Sequence, residues 1–335
     1  MSEYKDFLAS NNLKAIEAAL TLSEIKLDNL RNNIKDIFND KQVFSEICIV
    51  TTGSYARREA SEESDLDYFL IIPDSLDKDF VIDNLSEIIE QKINSLIPKP
   101  AGSTNTFGAE AIVHQRDLLR LNHNDEHNKD LTRRMLLLLE GDYLYNLDKF
   151  EEIRQKIIEE YIKHNEVKFL INDIARYYRT MLTDFHYKIN TDKKTWGVRS
   201  IKLKFSRKII YLSGLLAVSL MNQDEVYTMN TSKVQDILKK DPLNRIYTIL
   251  NFTKEFDEKL LLDIFSSYNF FLEKISNKQN RKDLDGVERN LRQQDPLYTE
   301  LNSRGESFKD SCYQILERVY DCKVNPMLDF KYLVI

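Results

Sequence analysis

The stretch GSYARREASEESDLDYFLII, residues 53–72, decides the fold of this chain. A short β-branched run at 47–50 precedes it, and a second apolar run closes it at 68–72. Each run has the length and composition of a buried strand. The stretch therefore predicts two strands, with a Gly-Ser turn after the first and two acidic residues at the start of the second.

Gly53 and Ser54 are suited to binding an anion. A residue without Cβ lets backbone N–H groups approach a phosphate, and the neighbouring hydroxyl adds a hydrogen-bond donor. A helix that begins at this turn would add the partial positive charge of its N-terminus. We therefore expect Gly53 and Ser54 to bind phosphate.

Asp65 and Asp67 are candidate metal ligands. They stand two residues apart, and side chains alternate along a strand, so both carboxylates leave the same face. Magnesium takes oxygen ligands and commonly keeps substrate phosphates in its coordination shell. The pair therefore predicts a Mg²⁺ site that serves catalysis. The alternative is that Ser54 caps a helix and the two aspartates are solvated turn residues.

Residues 53–72 resemble the signature of the polymerase-beta-like nucleotidyltransferase superfamily. Within them, Arg57, Ala60 and Ser64 make the stretch similar to the minimal nucleotidyltransferases that are paired with helical toxin partners. A weaker resemblance links TRRMLLLLEGDYLYN, residues 132–146, to the bacterial nitrogen-regulation uridylyltransferases and adenylyltransferases.

The resemblance implies an α+β fold, with a nucleotidyltransferase-type mixed sheet flanked by helices and a mainly α-helical domain after it. It also implies an enzyme that moves a nucleoside monophosphate from a nucleoside triphosphate such as ATP to a hydroxyl group, with Mg²⁺ and with release of pyrophosphate. The family adds a third carboxylate on a later strand, which helps to deprotonate the acceptor. Glu110 is our candidate for this catalytic residue, and Asp117 is the second choice.

Arg57, Arg58 and Lys202 are candidate contacts to the nucleotide. The two arginines follow the phosphate turn by about one helical turn, and Lys202 belongs to a basic stretch in an acidic chain. The alternative for the lysine is a solvated helix face. The alternative for the arginines is a salt bridge to a nearby acid, namely Glu59, Glu62 or Glu63.

The length of 335 residues favours two domains. We expect an N-terminal helical segment at 1–40, a nucleotidyltransferase domain at 41–148 and a helical C-terminal domain at 149–335. The polar stretch 276–311 predicts a long surface loop or an insertion.

The formal net charge of −6 disfavours a long nucleic acid as partner. We therefore expect a protein hydroxyl as the acceptor, and a small molecule such as an aminoglycoside or a second nucleotide are the open alternatives. No apolar run reaches the roughly 18 residues of a membrane span, and the N-terminus has no signal-peptide core. These features predict a cytoplasmic protein without membrane contact.

Two other functions stay open. The fold could serve as a nucleotide-sensing or partner-binding module without turnover. Alternatively, Arg179 and His186, seven residues apart, resemble the Arg-to-His motif of the helical ribonucleases that partner minimal nucleotidyltransferases. At that spacing the two side chains share a helix face.

Overall fold

The computed structural model describes residues 2–39, 42–97, 106–121, 128–163, 167–191, 195–219, 231–252 and 257–319. The chain forms two compact units. One comprises residues 19–165, and the other comprises residues 1–18 together with 166–335. The predicted domain limits at 40/41 and 148/149 stay predictions.

The sheet unit contains the strands and the helices around them. Its elements in chain order are α2 (Lys14–Phe38, which starts in the other unit after α1, Ser2–Ser10), β1 (Cys48–Thr52), α3 (Gly53–Ala56), β2 (Asp67–Ile72), α4 (Lys78–Val81), a π-helical turn (Ile82–Ser86), α5 (Glu87–Leu96), β3 (Ile112–His114), α6 (Gln115–Leu119), α7 (Asn128–Leu139), β4 (Asp142–Tyr145) and α8 (Leu147–Lys163).

The four strands form one mixed sheet in the order β3-β2-β1-β4. β1 pairs antiparallel with β2 and with β4, whereas β2 and β3 run parallel. The mixed sheet with flanking helices confirms the predicted α+β fold. Sequence reasoning had not found β4, which forms one edge of the sheet.

One face of the sheet is buried under helices α2, α4 and α5. Ile49 of β1 and Leu70 of β2 lie in this core, with Leu30 of α2 and Ile89 of α5. In α2 the buried positions recur every three, four or seven residues, as an amphipathic helix requires. This packing fixes which strand residues face the helices, and therefore which face the other side.

The second unit is helical. Besides α1 it contains α9 (Val167–Asn190), α10 (Gly197–Lys204), α11 (Ser206–Ser219), α12 (Thr231–Leu238), α13 (Pro242–Phe252), α14 (Glu258–Ser276), α15 (Lys278–Asp285) and α16 (Pro296–Val319). In the described ranges, no helix combines the length and the apolar character that a membrane span needs.

The loop predicted at 276–311 is wrong, since α15 and most of α16 occupy this stretch. The 24 residues of α16 are polar on average, but Tyr298, Leu301, Phe308 and Ile315 are buried on one side. A few large apolar residues at helical spacing are enough for one buried helix face. The average polarity of the stretch does not reveal this helical spacing of apolar residues.

Gly197 allows the start of α10 to touch α15. A Cβ built on Gly197 would lie 1.9 Å from the carbonyl oxygen of Leu284. Because both groups are buried backbone, neither can move without shifting a helix.

Gly197→Ala should therefore lower the free energy of unfolding by about 1–3 kcal/mol, seen as a lower urea midpoint by circular dichroism. Gly286→Ala is the matched control. Its site is exposed, with φ −79° and the nearest atom 3.3 Å from the added Cβ, so it should change stability by less than about 0.5 kcal/mol. Equal midpoints in the two variants would contradict the close approach.

Candidate active site

The register of β1 and β2 brings the Gly-Ser turn to the acidic residues. Thr52, the last residue of β1, pairs with Asp67, the first residue of β2. In an antiparallel pair, directly opposed residues share one face and their Cβ atoms are about 5 Å apart. The residue after Thr52 is Gly53, so the turn begins beside the Asp67 carboxylate.

Gly53 and Asp67 are in close contact. Gly53 has φ +71°, in the left-handed region, and a Cβ built on it would lie 2.8 Å from Oδ2 of Asp67. Any other residue would be strained in its backbone and would push against the carboxylate. The predicted phosphate turn and the predicted metal ligand therefore meet where the two central strands end.

Asp65 precedes β2 and is exposed, Leu66 is buried, and Asp67 is half-buried. This alternation is the one expected of two carboxylates on the same side. Burial raises the pKa of Tyr55, next to Ser54, to about 12, and the charges of Glu62 and Asp65 contribute to the rise. The charge of Asp65 therefore acts on Tyr55, the residue next to Ser54.

Two threonines of β1 complete the surroundings of Asp67, and sequence reasoning missed both. The Thr51 hydroxyl donates to the backbone oxygen of Asp67 at 3.0 Å, which ties β2 to β1 at this point. Thr52 Oγ1 is buried and has no hydrogen-bond partner among the described residues. A buried hydroxyl without a partner is costly. The signal in the sequence was their position, directly before the turn.

Glu110 and Asp117 are the candidates for a third acid at this site. Within the described ranges, no three His, Cys, Asp or Glu side chains come together as metal ligands. Glu110 lies exposed in the turn before β3, and its catalytic role stays a prediction. Asp117 follows β3, which runs parallel to β2, and therefore lies near the end of β2 that is opposite to Asp67.

Arg57 is held in a buried ion cluster. Its guanidinium pairs with Glu140, and its Nε lies 3.1 Å from Glu59 Oε2. The three side chains are each at most 5% exposed. This arrangement matches the salt-bridge alternative for Arg57, and a contact of Arg57 with the nucleotide stays a prediction.

Arg58 shares Asp142 with Arg31. Both Nη2 atoms lie 2.8 Å from Asp142 Oδ2, and the three side chains are mostly buried. Burial alone would raise the pKa of the Asp142 carboxyl, but Arg58 and Arg31 bring it below the ordinary value of 3.8. Arg58 itself has φ +60°. Its carboxylate partner is Asp142 of β4, which sequence reasoning had not considered.

The remaining candidates lie in the helical unit. Lys202 is half-buried on α10, and its contact with the nucleotide stays a prediction. Arg179 and His186 are both exposed on α9. One helix carries both residues, as expected, and the ribonuclease role stays a prediction.

The glycine turn at the end of β1 therefore lies against an acidic residue at the start of β2, an arrangement in which backbone N–H groups can bind an anion. Residues 31–179 match the family model of the nucleotidyltransferase domain, a range that includes Gly53, Ser54, Asp65 and Asp67. This match over residues 31–179 is consistent with the polymerase-beta-like nucleotidyltransferase superfamily and confirms the resemblance that the sequence signature predicts. The family supports nucleotidyl transfer as the general reaction. A comparison with curated proteins gave no match.

Asp142 should make the stability of the chain depend on pH. Its folded pKa is depressed, so its contribution is present above the unfolded value of about 3.9 and disappears as pH falls through the folded value. Asp142→Asn should therefore lower the free energy of unfolding by about 2 kcal/mol at pH 7. The difference from the unmodified chain should shrink as pH falls below about 4.

Urea titrations at several pH values measure this difference. Asp148→Asn, at an exposed position of α8, is the matched control and should give the same stability as the unmodified chain throughout. A loss at pH 7 that persists unchanged at pH 3 would rule out the linkage to the carboxylate charge.

Proposed function

We propose that this chain is a magnesium-dependent nucleotidyltransferase. It would move a nucleoside monophosphate from a nucleoside triphosphate, such as ATP, to a hydroxyl group and release pyrophosphate. The observation that carries the proposal is the contact of Gly53 with the Asp67 carboxylate, within a stretch that matches the nucleotidyltransferase domain.

The residues around Asp67 fit a magnesium ion with a triphosphate. Asp65 and Asp67 offer carboxylate oxygens, and the triphosphate would supply further oxygens. The missing Cβ at Gly53 leaves the space beside Oδ2 of Asp67 open. The ion would neutralise charge that develops on the phosphates.

Backbone and side-chain groups around the turn would position the reactants. Backbone N–H groups at Gly53 and the hydroxyl of Ser54 would hold phosphate oxygens, because both lie at the turn that faces Asp67. Thr52 Oγ1, buried without a described partner, is a further group that a polar ligand would satisfy. Glu110 is the residue we propose to accept the proton of the attacking hydroxyl.

We propose a protein hydroxyl, of tyrosine, serine or threonine, as the acceptor. The net charge of −6 lacks the positive field that a long nucleic acid needs for binding. A protein acceptor carries no such requirement. A cytoplasmic location is part of this proposal.

A second candidate is a nucleotide-sensing module without turnover. The observation that favours it is that no third acidic ligand joins Asp65 and Asp67 within the described ranges. Such a module would bind a nucleoside triphosphate with Mg²⁺ but would release no pyrophosphate. Pyrophosphate release therefore separates the two functions.

Gly53→Ala should lower nucleotidyl transfer by about 10²-fold, because an oriented group of the site is displaced. The added methyl group would lie 2.8 Å from Oδ2 of Asp67. The measurement is release of pyrophosphate with each of the four nucleoside triphosphates and Mg²⁺.

Gly108→Ala is the control for backbone strain. Gly108 also has a positive φ, +113°, but no atom lies within 4 Å of the added Cβ. This variant should keep most of the activity. If both variants lose activity equally, strain rather than the carboxylate contact is responsible.

Asp67→Asn and Asp65→Asn should each lower transfer by at least about 10²-fold. Asp74→Asn, at an exposed position two residues after the end of β2, should leave it unchanged. Intact-mass spectrometry of the chain and of co-purified proteins, after incubation with each triphosphate, would show the transferred group and its acceptor.

Glu110→Gln tests the third acid in the same assay, and a loss comparable to that of Asp67→Asn would support its role. Binding of the triphosphate without pyrophosphate release in the unmodified chain would favour the sensing module. Release that survives Asp67→Asn would overturn the proposed site.

A further inference from the structure

Two adjacent cations of the helical unit form no ion pair with any residue that the structure describes. Arg207 and Lys208 lie in the first turn of α11, and both are half-buried. Within the described part of the chain, neither forms an ion pair or a side-chain hydrogen bond. Lys204, which is also half-buried and lies four residues before Lys208, pairs with Glu306 at 2.6 Å.

Arg207 has a buried donor whose hydrogen bond is not made. Its Nη1 is buried and has no hydrogen-bond partner among the described residues. A buried donor without an acceptor costs about 1–3 kcal/mol, more when it is charged. The fork of guanidinium donors matches the oxygens of a phosphate or carboxylate.

Lys208 has charges of both signs around it. Burial lowers the pKa of its amino group, and the charges of Lys204 and Lys309 act in the same direction, whereas Cys312 and Glu306 raise it. Glu306, the nearby acid, forms its ion pairs with Lys204 and Lys309, at 2.6 and 2.7 Å. An anion brought to Lys208 would therefore give this half-buried amino group a direct ionic partner.

A tyrosine on the same face of α11 as the two cations stacks on a second tyrosine. Tyr211 lies four residues after Arg207 and three after Lys208, so all three occupy one face of α11. Its ring stacks on that of Tyr178 from α9, with centroids 4.7 Å apart and planes at 21°. Tyr178 and Tyr211 are both half-buried, so part of the pair is reachable from solvent.

We propose that Arg207 and Lys208 bind the phosphate group of a small ligand, beside the Tyr178–Tyr211 pair. The ligand class is a nucleotide or a simple polyphosphate, and the aromatic pair offers a surface for a base. This site needs no divalent cation, because the protein itself supplies the positive charge. It is a binding site separate in kind from the Asp65–Asp67 pair, and it does not depend on nucleotidyl transfer.

Calorimetric titration of the full chain with tripolyphosphate in EDTA tests this proposal. Without a divalent cation the carboxylates of Asp65 and Asp67 repel the anion, so the other phosphate site does not contribute. The unmodified chain should bind, and Arg207→Met combined with Lys208→Met should weaken binding by about tenfold or more. Absence of binding by the unmodified chain would overturn the proposal.

The control is the double variant Arg281→Met and Lys282→Met. These residues form another adjacent Arg-Lys pair, on α15, so the change in net charge and composition is the same. Binding should stay within about twofold of the unmodified chain. An equal loss in both double variants would mean that only net charge matters, and it would overturn the site.

Circular dichroism would check that the variants fold. If the double variant at 207 and 208 does not fold, Arg207→Gln alone provides the test, and unchanged affinity in that variant would overturn the proposal. A parallel titration with ATP in EDTA identifies the ligand class. Tighter binding of ATP than of tripolyphosphate supports a nucleotide that uses the tyrosines, and equal binding supports recognition of phosphate alone.

Failure of this proposal leaves the proposed function intact, because the titration measures binding and not turnover. Conversely, loss of pyrophosphate release in Asp67→Asn should not change binding of tripolyphosphate in EDTA by the site on α11. The two proposals can therefore fail separately.

Discussion

The pairing of Thr52 with Asp67 across β1 and β2 is the constraint on which the candidate site depends. Residues 53–66 leave the sheet and return to it between these two partners, so their path matters less than the register of the two strands. A slip by one residue would move the Asp67 side chain to the other face. The register is held by the core on the opposite face, where Ile49, Tyr68 and Leu70 pack beneath the helices. Burial of apolar side chains on one face thus sets the geometry of polar groups on the other.

Ion pairs hold the connection between β1 and β2 in place. Arg57 pairs with Glu140 and Glu59, while Arg58 joins Arg31 at Asp142. Burying charges is costly unless they are paired, and removing one partner of such a cluster leaves the others uncompensated. The carboxylates that pair with the two arginines at the start of the connection therefore include one at the end of α7 and one in β4. Arg57 and Arg58 therefore stabilise the folded connection, whatever further contacts they make with a ligand.

Sequence patterns predicted the parts of this structure that depend on local spacing. The apolar runs indicated β1 and β2, and the periodicity before them indicated α2, because strand and helix periods are visible in a single stretch. The four residues of β4 are half-buried apart from Leu144. They therefore do not form the apolar run that predicts a strand. In α16 small residues such as Gly305 replace large ones on the buried face, and a Cβ there would approach Lys204 Cβ to 3.2 Å. Close packing of this kind leaves no hydrophobic signal.

The partners of the site residues could not be read from the chain. Glu140 is 83 residues from Arg57, and Asp142 is 84 from Arg58, so only the folded sheet shows that they meet. The spacing of Gly53 and Asp67 permits their contact, but the register decides it. Motifs and their spacing therefore predicted the kind of site, whereas the ion-pair partners of Arg57 and Arg58 are visible only in the folded structure.

The two proposed phosphate sites are opposite in their electrostatics. At Asp67 a polyphosphate meets carboxylates, and Coulomb repulsion between like charges makes a bridging cation a condition for binding. At Arg207 and Lys208 the protein supplies the cations, and an anion relieves an existing desolvation cost. A divalent ion would strengthen the first interaction and would compete with Arg207 and Lys208 for phosphate oxygens in the second. The proposed dependence on a divalent cation at the first site, and its absence at the second, therefore follow from the sign of the charged side chains at each place.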